Sequence, residues 1–129
     1  MSEKLKLEIL NGEKMEFSLI ESFNKKIFFE EKEYLITIPK NTKTDFASIP
    51  KIFWNILTPL GKYEEAALLH DVLYRTGGLL IGLPFILTRK KSDKLFKEIM
   101  IMDNVNKRKA YLMWGAVRLF GKRFWQKQH

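Results

Sequence analysis

The sequence of 129 residues has no cysteine. It therefore carries no disulfide framework, no thiolate metal ligand and no thiol nucleophile, a usage that suits a reducing compartment. Long hydrophobic runs are missing as well. The longest, residues 79–87 (LLIGLPFIL) and 110–117, span nine and eight residues, against the roughly 20 that a membrane-spanning helix needs. Residues 1–20 alternate charged with apolar side chains, so neither a signal peptide nor a transmembrane segment is expected. A P-loop, a GxSxG elbow, a helix-turn-helix signature and an EF-hand loop are all absent from the sequence. No acidic residue follows Asp103.

What is present is the composition of an ordinary globular protein, 46% hydrophobic and 29% charged, with 17 aromatic residues to fill a core. That excludes a disordered tail or a fibrous repeat. The net charge of +8 is unevenly placed. Residues 104–129 hold seven basic side chains and no acid, while the 16 basic residues before them face 15 acidic ones. Together with Tyr111, Trp114, Phe120, Phe124 and Trp125, this basic end can face phosphates of a nucleic acid or a lipid surface. It can equally be the solvated rim of a core helix.

Leu5, Leu7 and Ile9 alternate with Lys6 and Glu8; Met15, Phe17 and Leu19 alternate with Glu16 and Ser18; and Asn11-Gly12 lies between the two runs. This pattern predicts a hairpin, because both turn residues tolerate positive φ. Residues 26–29 and 34–38 read as a second strand pair joined by the charged segment 30–33. A connection rich in proline and polar residues but apolar within follows from Pro39 to Pro59, and a loop of that kind must pack down. Helical spacing then predicts 63–75, stopped by Thr76-Gly77-Gly78; a second helix starting with Ser92 as N-cap and Asp93; and a third over about 106–120. The third is apolar almost all round at 110–117, the profile of a helix buried between neighbours or against a partner. The expected fold is α+β in a single domain, 1–129: a small N-terminal antiparallel β-sheet (1–40), an apolar packed loop (41–60) and three packed α-helices (61–129). Residues 79–87 are either core or a flap over a lipid-binding mouth.

His70 and Asp71 stand side by side in the middle of the first helix, with Tyr74 one turn after His70 on the same face. The stretch is otherwise mostly apolar, and an unpartnered carboxylate buried there would cost several kcal/mol. Asp71 therefore requires a cation, a metal or a set of donors. His70 suits a metal ligand or a general base, or a satisfied core histidine. Asp45 is a further acid within an apolar loop. Asp93 at the start of a helix would complement its dipole, and Arg89, four residues earlier, could pair with either acid.

The ordered set Thr44-Asp45-Phe46-Ala47-Ser48-Ile49-Pro50, Gly61, Ala66-Ala67, His70-Asp71-x-x-Tyr74, Arg89-x-x-x-Asp93-x-x-Phe96 and Ala116-Val117-Arg118-x-x-Gly121 with Trp125 resembles a family of short uncharacterised phage and prophage proteins, DUF1353. The likeness covers about residues 35–125 and implies a phage or prophage gene, acting in the host cytoplasm or the virion, with a phage or host protein as partner. A second resemblance is at the level of a site. His70-Asp71-x-x-Tyr74 followed by an acid 23 residues after the histidine is similar to the helical core of the phospholipase A2 group. That likeness implies a catalytic set in which His70 activates a water, Asp93 orients the imidazole and Tyr74 donates to the same carboxylate. It implies Ca²⁺ or another divalent metal on Asp71, with Asp45 as a substitute oxygen ligand, and no organic cofactor. The group's glycine-rich calcium loop is reduced here to Thr58-Pro59-Leu60-Gly61.

Three functions follow from these readings. The first is a small metal-assisted hydrolase acting on a phospholipid or another phosphate-bearing substrate. The second is a non-enzymatic phage accessory or virion protein in which the polar residues form a structural network. The third is a binder of anionic lipid or nucleic acid through Arg89, Arg118, Lys122 and Arg123. The apolar third helix also leaves room for a homo-oligomer.

Overall fold

Period-two alternation sets the N-terminal half. A computed structural model of the chain describes residues 7–11, 16–45 and 63–126. Strands β1 (Leu7–Asn11) and β2 (Glu16–Leu19) pair antiparallel, with Leu7 opposite Leu19 and Ile9 opposite Phe17, and the register shifts near Asn11. The expected hairpin is thus present, although its Gly12 turn lies outside the described residues. Strands β3 (Phe23–Phe29) and β4 (Lys32–Ile38) form a second pair, longer than the apolar runs suggested. Only Glu30 and Glu31 make the turn, both at positive φ (48° and 69°), so Lys32 and Glu33 join the strand. A short β5 (Lys43–Thr44) adds to β2. The single sheet of the sequence reading is therefore two antiparallel sheets, β1-β2-β5 and β3-β4. Most of the packed loop, from Phe46 on, lies outside the described residues.

Among the described residues, three helices complete the α+β fold: α1 (Glu64–Thr76), α2 (Arg89–Met102) and α3 (Lys107–Phe120), with a short 3-10 turn at Lys122–Phe124. Helix α1 ends where the glycines demanded, Gly77 adopting the left-handed conformation and donating to the Leu73 carbonyl. Helix α2 starts earlier than expected. Its N-cap is Thr88, whose hydroxyl accepts from the Lys91 amide, so Ser92 and Asp93 are interior residues and both are buried. Asp93 is thus not a dipole-complementing first-turn acid, and its charge has to be answered from elsewhere. Helix α2 packs against α1, α3 and β3. The core joins Phe23, Ile27, Phe29, Ile36 and Ile38 of the second sheet to Leu68, Leu69 and Leu73 of α1 and to Leu95, Phe96 and Ile99 of α2.

Helix α3 buries one face only. Ala110, Met113, Ala116 and Val117 point inward, whereas Tyr111, Leu112, Leu119 and Phe120 are exposed. The apolar run 79–87 is divided as well. Leu80 and Leu87 are core, while Leu79, Ile81, Phe85 and Ile86 are exposed. The run is stitched to β4 through the Thr37 amide, which donates to the Ile81 carbonyl at 2.9 Å. Gly82 (φ 108°) makes that approach possible, since a Cβ there would lie 2.1 Å from the Leu35 carbonyl oxygen. No helix among the described residues is long and apolar enough to cross a membrane.

Candidate functional site

The i,i+4 spacing on α1 aligns His70 with Tyr74, and the packing of α2 against α1 brings Asp93 to both. Asp93 Oδ1 lies 2.7 Å from His70 Nε2 and accepts a 2.6 Å hydrogen bond from the Tyr74 hydroxyl. The other carboxylate oxygen accepts from Arg118 Nη1 at 2.7 Å, with Arg89 Nη1 3.7 Å away. Arg89 also donates to the Tyr74 hydroxyl (3.1 Å) and to the carbonyls of Val117 and Arg118 (3.2 and 3.3 Å). His70 and Asp93 are completely buried. The imidazole is flanked by the rings of Tyr74 and Phe96, with centroids 4.3 and 4.5 Å away.

The chain after α3 closes over this cluster. Trp125 meets Tyr74 edge-on at 5.2 Å, and the Gln126 amide donates to the Tyr74 carbonyl at 2.9 Å. Gly121 sits so close that a Cβ would fall 2.9 Å from the Tyr74 hydroxyl oxygen and 2.6 Å from the Val117 carbonyl oxygen. Nine of the residues that carried the first resemblance thus converge: His70, Tyr74, Arg89, Asp93, Phe96, Val117, Arg118, Gly121 and Trp125 form one assembly drawn from three helices and the C-terminal turn.

Complete burial disfavours an imidazolium and holds the pKa of His70 below its ordinary value, against the pull of Asp93. Burial alone would raise Asp93, but hydrogen bonds from His70, Tyr74 and Arg118 outweigh it and keep the carboxylate ionised. Neutral His70 facing an ionised acceptor must place its proton on Nε2, which leaves the lone pair on Nδ1. Burial and the Asp93 charge push the Tyr74 phenol well above its usual range, so it stays a donor.

A second, more open cluster lies beside the first. Asp71 is buried, and Arg75, one turn later, reaches its Oδ2 with Nε at 3.0 Å while Nη2 meets Asp45 Oδ1 at 2.9 Å. The Asp71 contact is an ion pair without hydrogen-bond geometry; the Thr44 side chain supplies a hydrogen bond to that carboxylate. Burial raises Asp71 to a pKa of about 6, against the opposing charge of Arg75 and the Thr44 hydrogen bond. Packing of α1 against β5 is what brings Asp45 into reach.

The structure therefore joins His70, Asp93 and Tyr74 at one site, and Asp71 and Asp45 at another through a guanidinium. Arg89, read from the sequence both as a partner for an acid and as facing an anionic ligand, and Arg118, read only as facing such a ligand, turn inward, because the buried Asp93 draws the nearest cations. Lys122 and Arg123 are exposed. The sequence reading gave no site role to Arg75, Thr44 or the ring of Phe96. Thr44 and Phe96 stand in the motifs that carried the first resemblance, and the signal for Arg75 is its spacing of four from Asp71.

A family model described as "Protein of unknown function (DUF1353)" matches residues 22–117. The matched span holds His70, Tyr74, Arg89, Asp93 and Phe96, and stops just short of Arg118. No curated protein and no solved structure matches the chain.

Proposed function

This chain belongs to the DUF1353 family, and we propose that it is a small hydrolase in which His70, oriented by Asp93, is the general base. The substrate class of this reading is a phospholipid ester, in a phage or prophage setting. One observation carries it: an imidazole whose Nε2 is held 2.7 Å from the Asp93 carboxylate, both completely buried. A base of this kind takes a proton from water as the water attacks an ester carbonyl. The tetrahedral intermediate then breaks its bond to the alcohol oxygen, which leaves with the proton returned from the imidazolium that Asp93 steadies. Tyr74 and Arg118 are positioning residues, since they hold Asp93 in place and ionised. Burial, helped by the charge of Arg89, disfavours the imidazolium, so activity should rise with pH through a value below 6.5.

The residues at Asp71 do not fit calcium as they stand. Calcium takes about six to eight oxygens, whereas Asp71 and Asp45 share Arg75, and no group of three or more acidic, histidine or cysteine side chains among the described residues could hold a metal. No step is assigned to a metal here.

A second reading has its own support, in that His70 and Asp93 expose no surface. On that reading the network clamps α1, α2 and α3 together without catalysis. Ester release from anionic phospholipid vesicles, followed across pH 5–8 with and without Ca²⁺, decides between the two. The hydrolase reading expects release that falls at least about 100-fold in folded His70→Gln. Release unchanged in that variant sinks it. No release by wild type, with His70→Gln and Asp93→Asn destabilised by several kcal/mol, makes the network structural.

A further inference from the structure

The outer face of α3 has the wrong chemistry for water alone. Arg108, Leu112 and Leu119 share the side opposite Ala110, Met113 and Val117, as spacings of four and seven require. Leu112 is 50% exposed, Leu119 77% and Phe120 57%. Gly115 lies between the two leucines, and a Cβ there would meet nothing within 4 Å, so the face is open along its length. Beyond the helix end, Leu119, Phe120, Lys122 and Arg123 line one shallow, open depression. Neither the helix nor the turn after it contains an acid.

We propose that this face, from Arg108 to Arg123, docks on an anionic lipid bilayer. Its two components call for the same occupant. Leu112, Leu119 and Phe120 gain by entering the acyl boundary, and the flanking cations gain at headgroup phosphates. A nucleic acid would answer the cations and the Phe120 ring, but it would leave the more exposed Leu119 and its neighbour Leu112 facing water. A second copy would bring two acid-free basic faces together. Lys122 and Arg123 are free of the Asp93 network that claims Arg89 and Arg118, so docking leaves the buried dyad intact. The proposal stands apart from the hydrolase reading, since its readout is binding.

Flotation of the full chain with ether-linked vesicles, which have no ester to cleave, tests it. Wild type should float with phosphatidylglycerol–phosphatidylcholine vesicles, remain behind with phosphatidylcholine alone, and bind less as salt rises. The double variant Leu119→Ala/Phe120→Ala should lose at least about tenfold in partition coefficient. Lys122→Gln/Arg123→Gln should lose about tenfold and much of the salt dependence. All four side chains are solvent-facing or half-exposed, so thermal melts of both variants should match wild type. Absent binding, equal binding to neutral vesicles, or wild-type binding by the leucine–phenylalanine variant overturns the proposal. Preference for duplex DNA, undiminished in that variant, overturns it too, as does a dimer in sedimentation that the same variant dissolves.

Discussion

Four side chains share the Asp93 carboxylate's charge and hydrogen-bonding capacity: His70, Tyr74, Arg89 and Arg118. Its neighbour cluster works under the opposite constraint, as burial pushes Asp71 up to about 6 despite Arg75. The two clusters titrate with opposite signs. His70 has a folded pKa below its unfolded value of 6.5, so its stability contribution is present above pH 6.5 and is lost as pH falls through the folded value. Asp71 takes up a proton in the folded state near 6 but in the unfolded chain only near 3.8, so between those limits it makes the protein more stable as pH falls. Urea denaturation across pH 4–8 should show wild-type stability declining below pH 6.5, at most about 1.4 kcal/mol per pH unit from one proton. The decline should flatten near pH 6 in His70→Gln and steepen between pH 4 and 6 in Asp71→Asn. A wild-type curve flat from pH 7 to 5, matched by both variants, would contradict the assignment. At this scale the histidine, its neighbouring acid and the tyrosine were readable from spacing alone. The pairing of Arg89 with Asp93 was offered by their spacing of four, but the inward turn of Arg118 was not legible, because a side chain's partner depends on which buried charge lies within reach.

Among the elements, α2 shows most clearly how a boundary shifts a residue's meaning. With Ser92 as cap, Asp93 would be a solvated first-turn acid; with Thr88 as cap it is an interior charge in the core. The two possibilities separate by mutation. Thr88→Ala should cost about 1 kcal/mol, the usual worth of a lost cap hydroxyl. Ser92→Ala should be neutral or stabilising by up to about 1 kcal/mol, since the Ser92 hydroxyl is buried and makes no hydrogen bond. Chemical denaturation of the two variants measures the difference, and the reverse order would return the helix start to Ser92. The sequence reading chose Ser92 because serine is a preferred cap and Asp93 after it would complement the helix dipole, whereas the actual first turn, Arg89-Lys90-Lys91, is basic and opposes it. The turn between β3 and β4 was misjudged for a similar reason: Glu30 and Glu31 adopt positive φ without the asparagine or glycine that marks such turns.

For the whole molecule, one buried cation ties the sheet to the helices. Lys25 stands on the inward face of β3, where alternation places it, and meets Glu65 at the start of α1 and Asp103 at the end of α2. The two acids overcome the effect of burial and raise the Lys25 pKa. Lys25→Met should destabilise by about 2–4 kcal/mol, below the cost of breaking a wholly buried pair because both acids keep some exposure. The companion change Glu65→Gln/Asp103→Asn in the Lys25→Met background should recover part of the loss in a double-mutant cycle. Additive effects would mean that the three residues do not act as a unit.

The sequence by itself determined the α+β order, the antiparallel pairing of the first two strands, the stop of α1 at its glycines and the shared face of His70 and Tyr74. These rest on local steric and periodic rules that hold before any distant contact forms. The tertiary structure decided which charges meet. It set Asp93 against His70 with 22 residues between them in the chain, turned Arg89 and Arg118 inward, placed Arg75 between Asp71 and Asp45, and left Leu119 in the open. Those outcomes depend on how the helices pack, because a buried charge must be answered by whatever group the packing brings within about 3 Å.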